Sequence, residues 1–236
     1  MKKLKALIVD DERLARDEIR RHLSNWPEIE IVGEAANITD AANMIGQLQP
    51  EIIFLDVQMP GGSGFDLLES LDTVPQVIFT TAFNHYAVQA FDVDAIDYLV
   101  KPIREERFAK TIERTRARLA SEGEEHPGEQ TIFIKEGERC HFIKVSQISW
   151  IESSGNYARL YFEGSKALVK RSLNHLEKIL AADQFFRVNR TAIININYIS
   201  KIKPLHDGRL DVSLQGGQTF TVSGRQSAAL KNRSIL

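Results

Sequence analysis

Ile52-Ile53-Phe54-Leu55-Asp56-Val57-Gln58-Met59-Pro60-Gly61-Gly62-Ser63-Gly64-Phe65 (52–65) carries the reading of the N-terminal half. A short apolar run, 52–55, breaks off at an acid, Asp56, and a helical pattern of Phe65, Leu68 and Leu71 follows. Outward from it the same alternation repeats. Apolar runs stand at 4–9, 29–32, 77–80 and 96–100. Between them Ala15, Ile19 and Leu23 recur on one helical face, as do Ala41, Ile45 and Leu48, and then Phe108, Ile112 and Leu119. Strand and helix alternating five times predict an α/β domain over 1–120, a doubly wound parallel sheet covered on both faces.

The polar stretch 121–130, Ser-Glu-Gly-Glu-Glu-His-Pro-Gly-Glu-Gln, reads as a linker. From 131 to 236 short β-rich pieces recur, at 131–135, 140–145, 148–151, 158–162, 167–169, 201–205, 209–214 and 219–222. Turn signals such as Ser154-Gly155-Asn156, Asp207-Gly208 and Gly216-Gly217 separate them. Only 173–182 reads clearly as a helix. The second domain is therefore expected to be mainly β, a small sandwich or a partly open barrel.

The 236 residues suffice for two ordinary domains. No run of about 18 apolar residues occurs, and the apolar stretch behind the basic N-terminus is too short for a signal peptide. A single cysteine, Cys140, excludes an internal disulfide and a cysteine zinc cage, so a cytoplasmic protein is expected. The net charge of −2 hides an asymmetry. Residues 1–120 carry 14 Lys/Arg and 20 Asp/Glu, while residues 131–236 carry 16 and eight. A basic second half suits a polyanionic partner.

In open α/β sheets, ligands bind beyond the carboxyl ends of the strands. The first strand ends in Asp10-Asp11, the third in Asp56, the fourth in Thr80-Thr81 and the fifth in Lys101-Pro102. Three converging carboxylates repel one another unless a cation sits among them, and oxygen ligands with open positions suit Mg2+. Lys101 adds a positive charge, Thr81 adds a hydroxyl, and Asp56 is the candidate nucleophile for an acyl phosphate.

Four pieces in register, Leu7-Ile8-Val9-Asp10-Asp11-Glu12, 54–64, Thr81-Ala82 and Tyr98-Leu99-Val100-Lys101-Pro102, resemble the receiver domains of two-component systems, whose fold is flavodoxin-like. The resemblance implies Asp56 as phosphoacceptor, served by a sensor histidine kinase. It implies Asp10, Asp11, Asp56 and the backbone carbonyl of Gln58 as Mg2+ ligands, Thr81 and Tyr98 as a coupled switch, and a cis Lys101–Pro102 bond. The surface at 84–93 and 96–119 is then expected to change shape and to support a homodimer. The aromatic-flanked segment Phe83-Asn84-His85-Tyr86 is a further candidate contact. Aspartyl-phosphate hydrolases usually place a second Asp two residues after the first, whereas here that position is Gln58, which argues against an enzyme.

In the second half, basic residues cluster at 166–171, around Lys170, at 187–190 and at 223–225. Loop-borne Arg and Asn suit base edges, and Lys and Ser suit phosphates. Arg187 equally suits a turn anchor against a carboxylate, and Phe185-Phe186 suit the core. The stretches 148–157, 172–177, 185–190 with Ile193-Ile194-Asn195, and 221–225 resemble the LytTR-type DNA-binding domain, so that the whole chain resembles response regulators of the LytR/AlgR type. Such domains have an elongated β fold and insert loops into successive major grooves of double-stranded DNA, typically at paired direct repeats. The resemblance implies Asn156, Tyr157, Asn189, Arg190, Ser223 and Arg225 as DNA-facing residues. Asn189 stands where the family usually has His, and Gly224 where Arg is commoner. The competing reading is a phosphorylation-controlled module whose β domain binds protein or RNA.

Overall fold

The apolar runs become strands with core on both sides. In the computed structural model, which describes residues 3–82, 97–125, 129–137 and 139–233, the chain divides into two compact units, Met1–Lys144 and Val145–Leu236.

The first unit runs β1 (Leu4–Val9), α1 (Arg13–Leu23), β2 (Ile29–Ala35), α2 (Ile38–Leu48) and β3 (Ile52–Asp56). A two-residue hairpin, β4 (Gln58–Met59) and β5 (Gly62–Ser63), leads into α3 (Gly64–Ser70), then β6 (Gln76–Thr81), β7 (Asp97–Val100) and α4 (Glu105–Glu125). The sheet order is β2-β1-β3-β6-β7, with all pairs parallel. Alternation along each strand explains the two cores. Leu7, Val9, Ile53, Leu55, Val77 and Phe79 face one, with Phe65 and Leu68 of α3. Ala6, Ile8, Ile52, Phe54 and Ile78 face the other, with Ile19 of α1 and Phe108 and Ile112 of α4. This is the doubly wound, flavodoxin-like sheet predicted from the sequence. The segments 83–86 and 84–93, and Ile96, lie outside the described residues.

Helix α4 continues to Glu125, so half of the stretch read as a linker is helical. A second hairpin, β8 (Thr131–Glu136) and β9 (Arg139–Lys144), packs in the first unit although the sequence groups it with the C-terminal segment. The reason is apolar burial: Phe133 lies 6.2 Å from the Phe65 ring, Cys140 joins the same core, and Val74 N donates to Thr131 O at 2.8 Å.

The second unit contains β10 (Ile148–Ser154), β11 (Tyr157–Phe162), β12 (Ser165–Val169), α5 (Leu173–Ile179), β13 (Phe185–Arg187) and β14 (Ala192–Asn195). After these come β15 (Ile199–Pro204), β16 (Leu210–Leu214), β17 (Thr219–Val222) and α6 (Gly224–Lys231). One antiparallel sheet has the order β12-β11-β10-β14-β13 and a second has β15-β16-β17. Phe186, Val188, Ala192 and Ile194 pack against Leu210, Val212, Leu214 and Phe220, with Leu230 of α6. The sequence reading missed three elements. Strands β13 and β14 are short, and α6 begins on a glycine with a weak apolar face. Tertiary contacts hold α6 in place: Leu230 is fully buried, and Ser227 Oγ accepts from Leu210 N at 3.1 Å.

Candidate functional site

At the carboxyl ends of β1, β3 and β7 the expected residues meet. Asp10 is fully buried, and its Oδ1 accepts from Glu12 N at 3.0 Å. Asp56 is 6% exposed; its Oδ1 accepts from Gln58 N at 3.2 Å and its Oδ2 from Lys101 Nζ at 2.9 Å. Lys101 Nζ also stands 2.6 Å from Asp10 Oδ2. That oxygen accepts no well-directed hydrogen bond, so the lysine compensates its charge as an ion pair rather than satisfying its lone pairs. Asp10, Asp11 and Asp56 each offer a carboxylate oxygen, all within 4.8 Å of one another.

The loop after β3 is built to hold Asp56 still. A side chain at Gly64 would bring its Cβ to 2.4 Å from Asp56 O, so only glycine allows α3 to start there. Ser63 and Asp66 cap that helix reciprocally: Asp66 N donates to Ser63 Oγ at 3.2 Å, and Ser63 N donates to Asp66 Oδ2 at 2.7 Å. Thr81 is buried at the end of β6, and its carbonyl accepts from Lys101 N at 2.8 Å. Tyr98 is 8% exposed and pairs with Phe79, two residues before Thr81, so Thr81 and Tyr98 are diagonal neighbours on one face of the sheet. The Lys101–Pro102 bond is cis.

Burial pushes the Asp10 carboxyl above its usual range, against the opposing pull of Lys101, and the Asp56 charge adds to the rise. Burial alone would lower Lys101, but its pairing with the Asp10 and Asp56 carboxylates outweighs it and raises the ammonium. Three acids share one lysine, and one buried oxygen lacks a hydrogen-bond donor. That donor set fits a small, hard cation such as Mg2+.

The second group of residues gathers at one end of the five-stranded sheet. The register places Ser154 opposite Tyr157, Ala158 opposite Val169, and Glu152 opposite Ala192. Asn156 therefore sits at the β10–β11 turn, where Gly155 has a φ of +62°. Tyr157, 45% exposed, stands beside it, and Lys170 follows β12 next to them. Ser153 N donates to Thr191 O at 2.8 Å, and Ser223 N donates to Val188 O at 2.9 Å, which adds the 188–191 turn and the start of α6 to the same end. The 223–225 segment, expected to be a loop, is the N-cap and first turn of α6. Arg190 and Arg225 are exposed, and their guanidinium groups have no hydrogen-bond or ion-pair partner among the described residues.

Asn189 differs. Its Oδ1 accepts from Thr191 N and Oγ1, both at 2.9 Å, and its Nδ2 donates to Thr221 O at 3.2 Å. Both polar atoms are engaged within the protein. Arg187 is the turn anchor, one of the two roles open to it from the sequence. Its Nε donates to Asn189 O at 2.7 Å, and a terminal nitrogen donates to Arg190 O at 2.9 Å. Its other terminal nitrogen reaches Asn174 Oδ1 and Glu177 Oε2, both at 3.2 Å. Phe185 and Phe186 are buried, as suits the core.

Comparison with known proteins agrees with both halves. The profile of the response regulator receiver domain matches residues 6–113, and that of the LytTr DNA-binding domain matches residues 138–234. The chain is 35% identical over 233 residues to an uncharacterized response regulatory protein of Vibrio cholerae, covering 97% of each. It is 34% identical to the transcriptional regulatory protein BtsR of Salmonella typhi and 33% identical to the sensory transduction protein LytT of Bacillus cereus, in each case covering 97% of this chain and 98% of the relative. With an acid cluster at the strand ends of one unit and two exposed arginines at the sheet end of the other, the chain belongs to the two-component response regulators of the LytR/AlgR type, a receiver domain joined to a LytTR DNA-binding domain.

Proposed function

We propose that this regulator is switched by phosphorylation of Asp56 by a sensor histidine kinase, and that the phosphorylated form binds double-stranded DNA at paired direct repeats as a homodimer. The observation that carries the reading is the Asp10–Lys101–Asp56 arrangement, with a second acid, Asp11, beside it. An Asp56 carboxylate oxygen attacks the phosphorus of the kinase phosphohistidine. The new O–P bond forms as the N–P bond breaks, and the ring nitrogen keeps the electron pair. Lys101 already pairs with Asp56 and remains on the phosphoryl oxygens after transfer, meeting the added negative charge. Asp10, Asp11, Asp56 and the Gln58 carbonyl would hold a Mg2+ ion, which would supply further positive charge for the incoming group.

Thr81 then donates its hydroxyl to a phosphoryl oxygen, and Tyr98 moves into the space it leaves. Tyr98 lies on β7, so the shift reaches the 97–119 surface, where dimerisation follows. At the DNA end, Arg190 and Arg225 reach base edges, Asn156 and Tyr157 line the groove, and Lys170 and Ser223 meet phosphates. We assign Asn189 to loop positioning, because its polar atoms already have protein partners. The first test of the phosphoacceptor is intact mass after incubation with acetyl phosphate and Mg2+. One added phosphoryl group is expected in the native protein and none in Asp56→Asn; equal phosphorylation of Asp56→Asn overturns the assignment.

A further inference from the structure

Behind the DNA-facing end, the second unit holds a cavity of about 240 Å³. Leu180, Phe185, Phe186 and Ile193 give it an apolar lining. Its charged lining residues are Glu177, Arg187 and Arg233, one acid against two guanidinium groups. Arg233 lies over the Phe186 ring at 5.0 Å, makes only a long 3.5 Å contact to Phe185 O, and has no carboxylate partner among the described residues. Arg187 directs four N–H groups to protein acceptors, and its fifth has none among the described residues. Among the described residues, the cavity therefore offers one uncompensated positive charge beside aromatic walls.

Those features select the ligand class. A guanidinium paired with a carboxylate gives two parallel, charge-assisted hydrogen bonds. The surplus of one charge matches a monoanion rather than a phosphate dianion. The volume lies below the usual range of about 300–1,000 Å³ for drug-sized ligands, which leaves room for little more than one ring and a short acid chain.

The cavity is also connected to both segments that carry the DNA-facing arginines. Arg187 fixes the carbonyls of Asn189 and Arg190. Gln226 and Ala229, which also line the cavity, belong to α6, whose first turn carries Arg225. We infer that this cavity binds a small monocarboxylate with a planar apolar body and that its occupancy weakens DNA binding, the second half resting on the DNA reading proposed above. The sign follows from charge: the ligand draws Arg187 away from the loop carbonyls and adds an anion behind a surface that must meet phosphates. By linkage, DNA weakens the ligand by the same factor.

The test uses full-length protein and 3-phenylpropanoate, titrated by calorimetry, with 3-phenylpropan-1-ol as the uncharged comparator. Saturable binding of one acid per chain is expected, about tenfold weaker for the alcohol and for Arg233→Gln. Ala229→Phe, which fills the cavity from α6 and leaves both arginines in place, is expected to abolish it. No saturation by the acid, or equal binding by both variants, overturns the site. In the second arm, saturating acid is expected to weaken duplex binding about fivefold in the native protein and not in Ala229→Phe, whose cavity is filled. Unchanged DNA affinity with the cavity filled overturns the coupling. A protein that binds the acid but no duplex at all supports the site while refuting the DNA reading and, with it, the coupling.

Discussion

Lys101 Nζ stands 2.9 Å from Asp56 Oδ2, an ion pair that joins the end of β7 to the end of β3 across the intervening β6. The same nitrogen is 2.6 Å from Asp10 Oδ2, so one cation serves two buried acids while Asp11 adds a third negative charge. Function and stability oppose each other here. In the presence of EDTA, Asp10→Asn is predicted to unfold at a higher temperature than the native protein, because a buried carboxylate repelled by Asp56 is replaced by a neutral amide. Mg2+ is predicted to raise the melting temperature of the native protein and to have a much smaller effect on Asp10→Asn. Lys101→Met is predicted to lose about 3–5 kcal/mol without Mg2+, as expected when one partner of a buried ion pair is removed. Thermal melts of the three proteins with and without Mg2+ check all of this.

At the other end of the chain, the exposed arginines and Asn189 separate cleanly. Arg190→Ala and Arg225→Ala are predicted to leave the melting temperature unchanged and to weaken duplex binding by about 1–3 kcal/mol each. Asn189→Ala removes two acceptor contacts and one donor contact. It is predicted to cost about 0.5–1.5 kcal/mol of stability, because the bonds to Thr221 O and the Thr191 groups are exposed and water replaces the lost partner. Paired melting and binding measurements on the three variants distinguish contact from scaffold.

Arg187→Met tests positioning in a different way. Its guanidinium is bonded to loop carbonyls and to Glu177, so it holds Arg190 in place without needing to touch DNA. Affinity is predicted to fall while the salt dependence of binding keeps its slope. Arg190→Ala, if Arg190 also neutralises a phosphate, lowers that slope by about one. A reduced slope in Arg187→Met would make it a phosphate contact.

Cys140 reports on the hairpin of β8 and β9. Burial pushes its thiol up to about 11, and the side chain is 4% exposed. At pH 8 only about one part in a thousand is thiolate, so alkylation by iodoacetamide is predicted to be far slower than in unfolded protein. Phe133→Ala, which removes the ring stacked near Phe65, is predicted to speed it. Equal rates in the native and Phe133→Ala proteins would show that this contact does not hold the hairpin down.

Much of this was legible in residues 1–120, because strands buried on both faces print as uninterrupted apolar runs and their ends fall on the acids, Thr81 and Lys101. The same logic failed where structure depends on distant partners. Strand β14 is only Ala192–Asn195 and gains its central place by pairing with both β10 and β13. Helix α6 has little apolar periodicity and is fixed by buried Leu230 and Ser227. The hairpin at 131–144 looks from its sequence like any other β piece, and its packing shows only in distant contacts, Phe133 with Phe65 and Val74 N with Thr131 O. The motif alone implies Asn189 as DNA-facing and does not show that Thr191 and Thr221 engage its amide.

The most direct test of phosphate-controlled DNA binding is the affinity of the full-length protein for fragments of its own genome. It is measured at one fixed salt concentration with Mg2+, with and without acetyl phosphate. The expected result is selective duplex binding that the donor strengthens in the native protein and leaves unchanged in Asp56→Asn. Equal strengthening in Asp56→Asn, or no selective duplex binding in either state, would contradict it.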